Sequence, residues 1–293
     1  MIYRVISFYR YVALENPETL RKDISEKCLK LGILGRVLVA QEGINGAVCG
    51  EEKAVEGLTS FLEGHFPALT YREQIVKEQS YHKLVVRVRK EIVAFGRDIS
   101  VQDRGKHLSV QELHSWYKEK KDFVIVDARN VHEAEVGKFQ GALTLPIRSF
   151  REFPESIKKL DYLKEKKIVM YCTGGVRCEK ASAYMKQEGF QDVYQLDGGI
   201  IHYVNTFPEG FYEGACFVFD DRLTSYVEKA ISRCTLCFVA CAEFTNCSHL
   251  DCDKLFLCCR SCREKMKNTC SLSCVHSGRQ RKSVVKKEIL PIV

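Results

Sequence analysis

The stretch KIVMYCTGGVRCEKASAYMKQEG, residues 167–189, decides the fold of the central part of the chain. It begins with a short apolar run typical of a buried strand and ends with a run typical of a helix. Between them lie Gly174 and Gly175, which predict a tight loop. This strand, loop and helix place Cys172 at the carboxyl end of a strand, where open α/β sheets build their sites.

Strands and helices also alternate on both sides of this stretch. FVIVDAR (123–129) and VYQL (193–196) have the pattern of strands, and VQELHSWYKEK (110–120) has that of a helix. The alternation predicts an α/β domain with a parallel sheet over residues 109–215.

Three features of the loop favour the thiolate form of Cys172. Gly174 and Gly175 have no Cβ atoms, so backbone N–H groups can turn toward the sulfur. The helix beginning near Cys178 contributes the positive end of its dipole, and Arg177 contributes a full charge. We therefore predict a lowered pKa and raised reactivity for Cys172, with the loop acting as an anion cradle.

The spacing between Cys172 and Arg177 limits the size of the group that the loop can enclose. Cysteine phosphatases use C-x5-R to encircle a phosphoryl group, whereas Arg177 stands at C-x4-R from Cys172. The smaller cradle suits a terminal sulfur better than a phosphate. Cys178, six residues after Cys172, is either a resolving thiol that closes a disulfide with it or a packing residue.

The surrounding motifs resemble the rhodanese domain. IVDARNVHEAEVGKFQGALTLPI (125–147), the loop from Cys172 to Arg177 and LDGG (196–199) stand in the order of that family. The resemblance implies that Cys172 carries a persulfide or acts directly as a nucleophile. For Asp127 and Arg129 we expect a structural ion pair rather than a chemical role.

Residues 1–95 predict a ferredoxin-like α+β sandwich with the order β-α-β-β-α-β. Its strands are expected at YRVISFY (3–9), RVLVA (36–40), NGAVCG (45–50) and KLVVRVRKEIV (83–93). A helix capped by Asn16 and stopped by Gly32 lies between the first two, and EEKAVEGLTSFLEG (51–64) forms the second helix. Residues 96–108 are expected to be a linker.

Residues 216–293 predict a cysteine-rich zinc module, because ten of the 15 cysteines lie between 234 and 274. Four close pairs supply the expected ligands of two structural zinc ions: Cys234, Cys237, Cys247, Cys252, Cys259, Cys262, Cys270 and Cys274. We favour a cross-braced arrangement in which the first and third pairs share one ion and the second and fourth share the other, with sequential pairing as the alternative. Cys241 and Cys258 fall outside the pairs and are expected not to be ligands. His249 and His276 are expected to be surface residues.

The positive charge is concentrated at the same end of the chain. Residues 222–293 hold 13 basic and 6 acidic residues, which accounts for the whole net charge of +7. This basic end suggests a phosphate-rich partner such as RNA. The candidate RNA contacts are Arg279, Arg281, Lys282, Lys286 and Lys287 in the tail, and Arg87, Arg89 and Lys90 in the first domain.

No apolar run is long enough to span a bilayer, and the N-terminal residues lack the pattern of a signal peptide. We therefore expect a cytoplasmic protein without a membrane anchor, in which many cysteines are metal ligands or reactive thiols rather than disulfides.

The resemblance extends over essentially the whole chain. VAQEGINGAV (39–48), LVVRVRKEIVAFG (84–96), RCEKA (177–181) and CFVFDDRL (216–223) are similar to signatures of the bacterial tRNA uridine hydroxylases. That resemblance implies tRNA as partner, molecular oxygen as co-substrate, conversion of the wobble uridine at position 34 to 5-hydroxyuridine, and Cys172 as the catalytic cysteine.

The residues themselves predict thiol chemistry on a phosphate-rich partner but not the route of oxygen activation. The sequence contains no 2-His-1-carboxylate pattern, dinucleotide fingerprint or flavin motif. Two alternatives to the hydroxylase stay open. One is a sulfurtransferase that carries a persulfide on Cys172, and the other is a zinc- and RNA-binding module without enzymatic activity.

Overall fold

A five-stranded sheet forms the first part of the computed structural model, which describes residues 2–226 and 229–281. The strands are β1 (Tyr3–Tyr11), β2 (Leu34–Ala40), β3 (Gly43–Glu51), β4 (Tyr71–Val76) and β5 (Leu84–Val88). Their order across the sheet is β4-β1-β3-β2-β5, and only β5 runs parallel to its neighbour. The first four strands have the ferredoxin-like order, which confirms the predicted fold class.

Two helices pack on this sheet. In α1 (Pro17–Lys30) the side chain of Asn16 accepts the N–H of Thr19 at 3.2 Å, as the capping pattern predicts. Gly32 follows the helix in a left-handed conformation. The second helix, α2 (Glu52–His65), buries an apolar face against the sheet.

The sheet differs from the prediction at its edges. Strand β4 was not expected, and LVVRV is a fifth strand added beside β2 instead of the fourth. Apolar and polar residues alternate only weakly in β4 because it is an edge strand, in which Ile75 remains 62% exposed.

The second sheet is parallel, as predicted. It holds β6 (Lys106–Leu108), β7 (Val124–Asp127), β9 (Leu143–Thr144), β10 (Lys167–Tyr171) and β11 (Asp192–Leu196), in the order β6-β11-β10-β7-β9. The helices of this part are α3 (Val110–Lys118), α5 (Phe153–Ile157), α6 (Val176–Gln187) and α7 (Gly199–Thr206). Helix α7 was not predicted, and the stretch expected as a linker ends in β6. Cys172 and Cys178 both lie in the core of this sheet and its helices.

The chain divides into two compact units. One comprises Met1–Val131 and Gly141–Gly210, and the other comprises His132–Gln140 and Phe211–Val293. Short elements form the second unit: β8 (Gly137–Phe139), β12 (Tyr212–Gly214), β13 (Cys216–Phe217), β14 (Thr224–Ser225), β15 (Phe244–Asn246), β16 (Leu255–Leu257), α8 (Arg260–Lys265), α9 (Leu272–Val275) and most of α4 (Val131–Val136). The domain boundaries predicted at 95, 109 and 215 stay predictions.

Candidate active site

The predicted thiol loop lies at the carboxyl end of β10, a strand flanked on both sides in the sheet. Cys172 follows β10 directly, and α6 begins at Val176. Gly175 stands before the helix with φ of 100°, a conformation that L side chains rarely adopt. The loop therefore turns the chain sharply, so that the start of α6 faces back toward the sulfur.

The sulfur of Cys172 is enclosed by hydrogen-bond donors. The backbone N–H of Gly175 donates to Sγ at 3.1 Å. Burial opposes ionisation of Cys172, yet a hydrogen bond from the Cys178 thiol and the charge of Arg177 lower its pKa to about 6. The backbone N–H groups of Arg177 and Gly175 act in the same direction. The loop thus supports a thiolate at neutral pH.

Arg177 and Gly174 take different positions in the loop. The Arg177 side chain is buried, and its guanidinium donates to Oγ1 of Thr173 at 3.3 Å. Gly174 is partly exposed, and a Cβ added there would meet no atom within 4 Å. Gly174 therefore borders open space.

Cys178 is buried in the same core as Cys172. Burial and the neighbouring Cys172 sulfur raise the pKa of Cys178, so its thiol stays protonated. Both cysteines are reduced and buried. The structure places the two cysteines in the same hydrophobic core, as a resolving role for Cys178 requires.

Asp127 and Arg129 form the structural ion pair expected of them. The guanidinium of Arg129 lies 2.7 Å from the Asp127 carboxylate, and both side chains are fully buried. The hydroxyl of Tyr171 also donates to Asp127 at 2.6 Å. The Tyr171 hydrogen bond joins the ends of the neighbouring strands β10 and β7, and the ion pair lies within the core.

Sequence reasoning missed the residues that β1 contributes to the loop. The hydroxyl of Tyr9 donates to Glu179 at 3.0 Å, and that of Tyr11 donates to the carbonyl of Val176 at 3.3 Å. A Cβ on Gly175 would lie 2.9 Å from the Tyr9 hydroxyl. Burial raises the pKa of Tyr9 well above its ordinary value, with Glu179 acting in the same direction. Tyr9 is therefore a neutral phenol against the cysteine loop.

The eight predicted zinc ligands form two groups. Cys234, Cys237, Cys259 and Cys262 make one, and Cys247, Cys252, Cys270 and Cys274 make the other. Within each group the sulfur atoms lie within 4.8 Å of one another, which suits a tetrahedral thiolate site. The grouping is the cross-braced one rather than the sequential alternative. The donor chemistry of both groups fits zinc.

Cys241 and Cys258 lie outside both groups. Burial raises the pKa of Cys241 to about 11 and that of Cys258 to about 12. Neither histidine belongs to a group: Nε2 of His249 lies 3.5 Å from Asp251, and Nδ1 of His276 lies 2.9 Å from the carbonyl of Leu272.

The candidate RNA contacts divide into three sets. Arg87, Arg89 and Lys90 are exposed on or just after the edge strand β5. Arg279 and Arg281 instead pair with Asp251 and Asp253, each at 2.7 Å. Lys282, Lys286 and Lys287 lie outside the described residues.

No membrane-spanning helix is found among the described residues. Within the described ranges, each helix is either too short or too polar to cross a bilayer.

Three known protein-family domains match most of the chain between residues 3 and 275. Residues 3–92 match a UPF0176 acylphosphatase-like domain, residues 109–206 a rhodanese-like domain, and residues 213–275 a rhodanese C-terminal domain. The chain is 39% identical to a protein of Cytophaga hutchinsonii called tRNA uridine(34) hydroxylase, over 93% of this chain and 89% of the relative. A protein of the same name from Cronobacter sakazakii is 38% identical over 92% of this chain and 80% of the relative. One from onion yellows phytoplasma is 36% identical, over 95% of this chain and 94% of the relative.

Proposed function

This chain belongs to the family of tRNA uridine(34) hydroxylases, and from this premise we propose that it hydroxylates uridine 34 of tRNA to 5-hydroxyuridine at Cys172. The observation that carries the proposal is the hydrogen bond from the N–H of Gly175 to the Cys172 sulfur at 3.1 Å, in a loop where Cys178 and the charge of Arg177 lower the pKa of Cys172 to about 6. Because tRNA is a cytoplasmic substrate, we propose that the protein acts in the cytoplasm.

The thiolate supplies a route to the otherwise unreactive C5 of uridine. The Cys172 sulfur adds to C6, and the electron pair of the C5–C6 bond moves onto C5 and the O4 carbonyl. C5 then bonds to oxygen derived from O2. Loss of the C5 proton and of the thiolate from C6 restores the ring as 5-hydroxyuridine.

Hydroxylation with O2 also needs two electrons and two protons, because the second oxygen atom leaves as water. Before the ring is released, the Cys178 thiol takes the outer oxygen of the peroxide on C5 and becomes a sulfenic acid, which leaves a hydroxyl on C5. After release, the Cys172 thiolate attacks the Cys178 sulfenic acid, the oxygen leaves as water, and a disulfide closes. An external thiol then reduces the disulfide before the next turnover. This assigns Cys178 the resolving role, supported by its burial with Cys172 in one core and by its effect of lowering the Cys172 pKa.

The other parts of the chain hold tRNA and metal. Two structural zinc ions, one in each cysteine group, fold the second unit, which has little apolar core of its own. The exposed Arg87, Arg89 and Lys90 contact phosphates, together with the basic residues from Arg279 onward.

A direct test compares tRNA nucleosides by mass spectrometry after incubation with purified protein in air. Wild type and Cys28→Ala should form 5-hydroxyuridine, since Cys28 is a buried cysteine in α1. Cys172→Ala should form none, and the hydroxyl should carry label from 18O2. Label from water instead would exclude O2 as the oxygen source.

The same comparison in a gene-deletion strain separates the alternatives. Loss of 5-hydroxyuridine supports the hydroxylase, whereas loss of a thiolated uridine indicates a sulfurtransferase. No change in either nucleoside indicates a binding module without enzymatic activity.

The role of Cys178 has its own test. Prereduced wild type without added thiol should make about one 5-hydroxyuridine per chain and end with a disulfide between Cys172 and Cys178, as two thiols supply two electrons. Cys178→Ser should lose this turnover. A full turnover by Cys178→Ser would exclude the resolving role.

A further inference from the structure

One charged residue in each of three sequence signatures has no role in the function proposed so far. VAQEGINGAV contains Glu42, LVVRVRKEIVAFG contains Glu91, and RCEKA contains Lys180. The fold brings these three side chains together, although they lie far apart in the chain.

The three residues form an ion cluster around a buried lysine, with both carboxylates partly exposed. Nζ of Lys180 lies 2.8 Å from Oε2 of Glu42 and 2.8 Å from Oε2 of Glu91. The Lys180 residue is only 1% exposed. Each carboxylate is itself held by a backbone N–H, from Ile92 to Glu42 at 2.7 Å and from Phe95 to Glu91 at 3.0 Å. The cluster is therefore a fixed arrangement rather than a chance surface pairing.

Stability alone is a weak explanation for such a cluster. Burying charges costs desolvation energy that their mutual attraction often fails to exceed, and apolar side chains of similar size stabilise as well or better. An ion cluster does fix which groups meet and at what angle. Lys180 lies on the first turns of α6, three residues after Arg177 and two after Cys178.

The first sheet contacts the start of α6 at further points. Tyr11 donates to the carbonyl of Val176, and its ring centroid lies 6.0 Å from Nζ of Lys180. Tyr9 donates to Glu179 and lies against Gly175. The sheet thus contacts the same short segment whose N–H groups surround the Cys172 sulfur.

We propose that Lys180 is a positioning residue: its pairs with Glu42 and Glu91 anchor the first turns of α6 on the first sheet. This anchoring keeps Gly175 and Arg177 aligned with the Cys172 sulfur. The first domain then contributes to the cysteine site in addition to binding RNA. The link to hydroxylation rests on the proposed function, while the link to the state of Cys172 does not.

The test measures ionisation of Cys172 separately from activity. The rate of iodoacetamide alkylation is followed against pH at the Cys172 peptide by mass spectrometry, and the same proteins are assayed for 5-hydroxyuridine. The charged and titratable groups around Cys172 are Arg177 and Cys178 on α6 and Tyr9 and Tyr11 on β1. All four are retained in every variant.

Lys180→Met should raise the midpoint of alkylation by about one pH unit, because the donors move away from the sulfur. It should also lower kcat for tRNA while leaving KM unchanged. Lys180→Arg should restore both values. The matched control is Lys186→Met, which removes an ion pair with Asp103 on the exposed side of the same helix and should behave as wild type.

In Glu42→Gln and in Glu91→Gln, Lys180 keeps one of its two carboxylate partners. These two variants test the positioning role if Lys180→Met does not fold. Smaller rises of the midpoint in both support the proposal. A wild-type midpoint in every folded variant overturns it. If the wild-type protein makes no 5-hydroxyuridine, the proposed function is wrong. The alkylation midpoints would still test the role of Lys180.

Discussion

The backbone N–H of Gly175 donates a hydrogen bond to Sγ of Cys172 over 3.1 Å. This contact depends on the φ of 100° at Gly175, which turns the N–H back toward the end of β10. A glycine serves here because a Cβ would both strain the backbone and press on the Tyr9 hydroxyl.

Gly175→Ala should therefore raise the pKa of Cys172. A hydrogen bond to a charged group contributes about 1.5–3 kcal/mol, which corresponds to a shift of about one to two pH units. The midpoint of Cys172 alkylation measures the shift. Gly189→Ala is the matched control, because Gly189 also has a positive φ but lies beyond the far end of α6. Equal midpoints in the two variants would contradict the role of Gly175.

Wild-type Cys172 should show half-maximal alkylation near pH 6, because its pKa is lowered to about 6 and only the thiolate reacts. The rate should fall as pH drops below this value and level off above it. Cys28 is an internal comparison, since burial raises its pKa to about 11. At pH 7 the Cys172 peptide should be modified and the Cys28 peptide should not. A midpoint near the ordinary value of about 8.5 would mean that the loop does not stabilise the thiolate.

The cysteine loop was predictable because its parts are adjacent in sequence. A strand, two glycines and a helix start fix where Cys172 and Arg177 lie relative to each other. The cysteine pairs were predictable for the same reason, since ligand spacing within a pair is local.

Contacts between distant segments were not predictable in this way. Nothing local in the sequence shows that Lys180 meets Glu42 and Glu91, or that Tyr9 lies against Gly175. Such pairings depend on how the sheets pack. The edge strand β4 was missed because an edge strand needs only a partly apolar face.

The two cysteine groups should hold two zinc ions per chain in protein purified without chelator. Cys234→Ser removes one ligand from the first group and should lower the zinc content to about one per chain, with a lower melting temperature for the second unit. Cys241→Ser is the control: this buried cysteine belongs to neither group, and the variant should keep both ions. Zinc measured by inductively coupled plasma mass spectrometry checks both. Two ions in Cys234→Ser would show that the grouping is not the metal ligand set.

Binding of tRNA should weaken when positive charge is removed from the edge of the first sheet. Arg87 and Arg89 are exposed and lie on or next to β5, where their guanidinium groups can reach phosphates. If each contacts one phosphate, the double variant Arg87→Gln with Arg89→Gln should reduce the slope of log affinity against log salt by about two. Binding measured between 50 and 200 mM salt, about the range in which such contacts are visible, gives this slope.

The control for charge is Lys22→Gln with Lys53→Gln, which removes the same charge from exposed positions on α1 and α2. If the protein attracts tRNA only through its overall charge, the slope of log affinity against log salt should change equally in both double variants. Direct phosphate contacts change the slope only for the arginine pair. Arg279 and Arg281 should contribute less than the arginines of β5, because each must first leave a carboxylate partner 2.7 Å away. A larger loss of slope on replacing Arg279 and Arg281 would place the main RNA contact in the second unit instead.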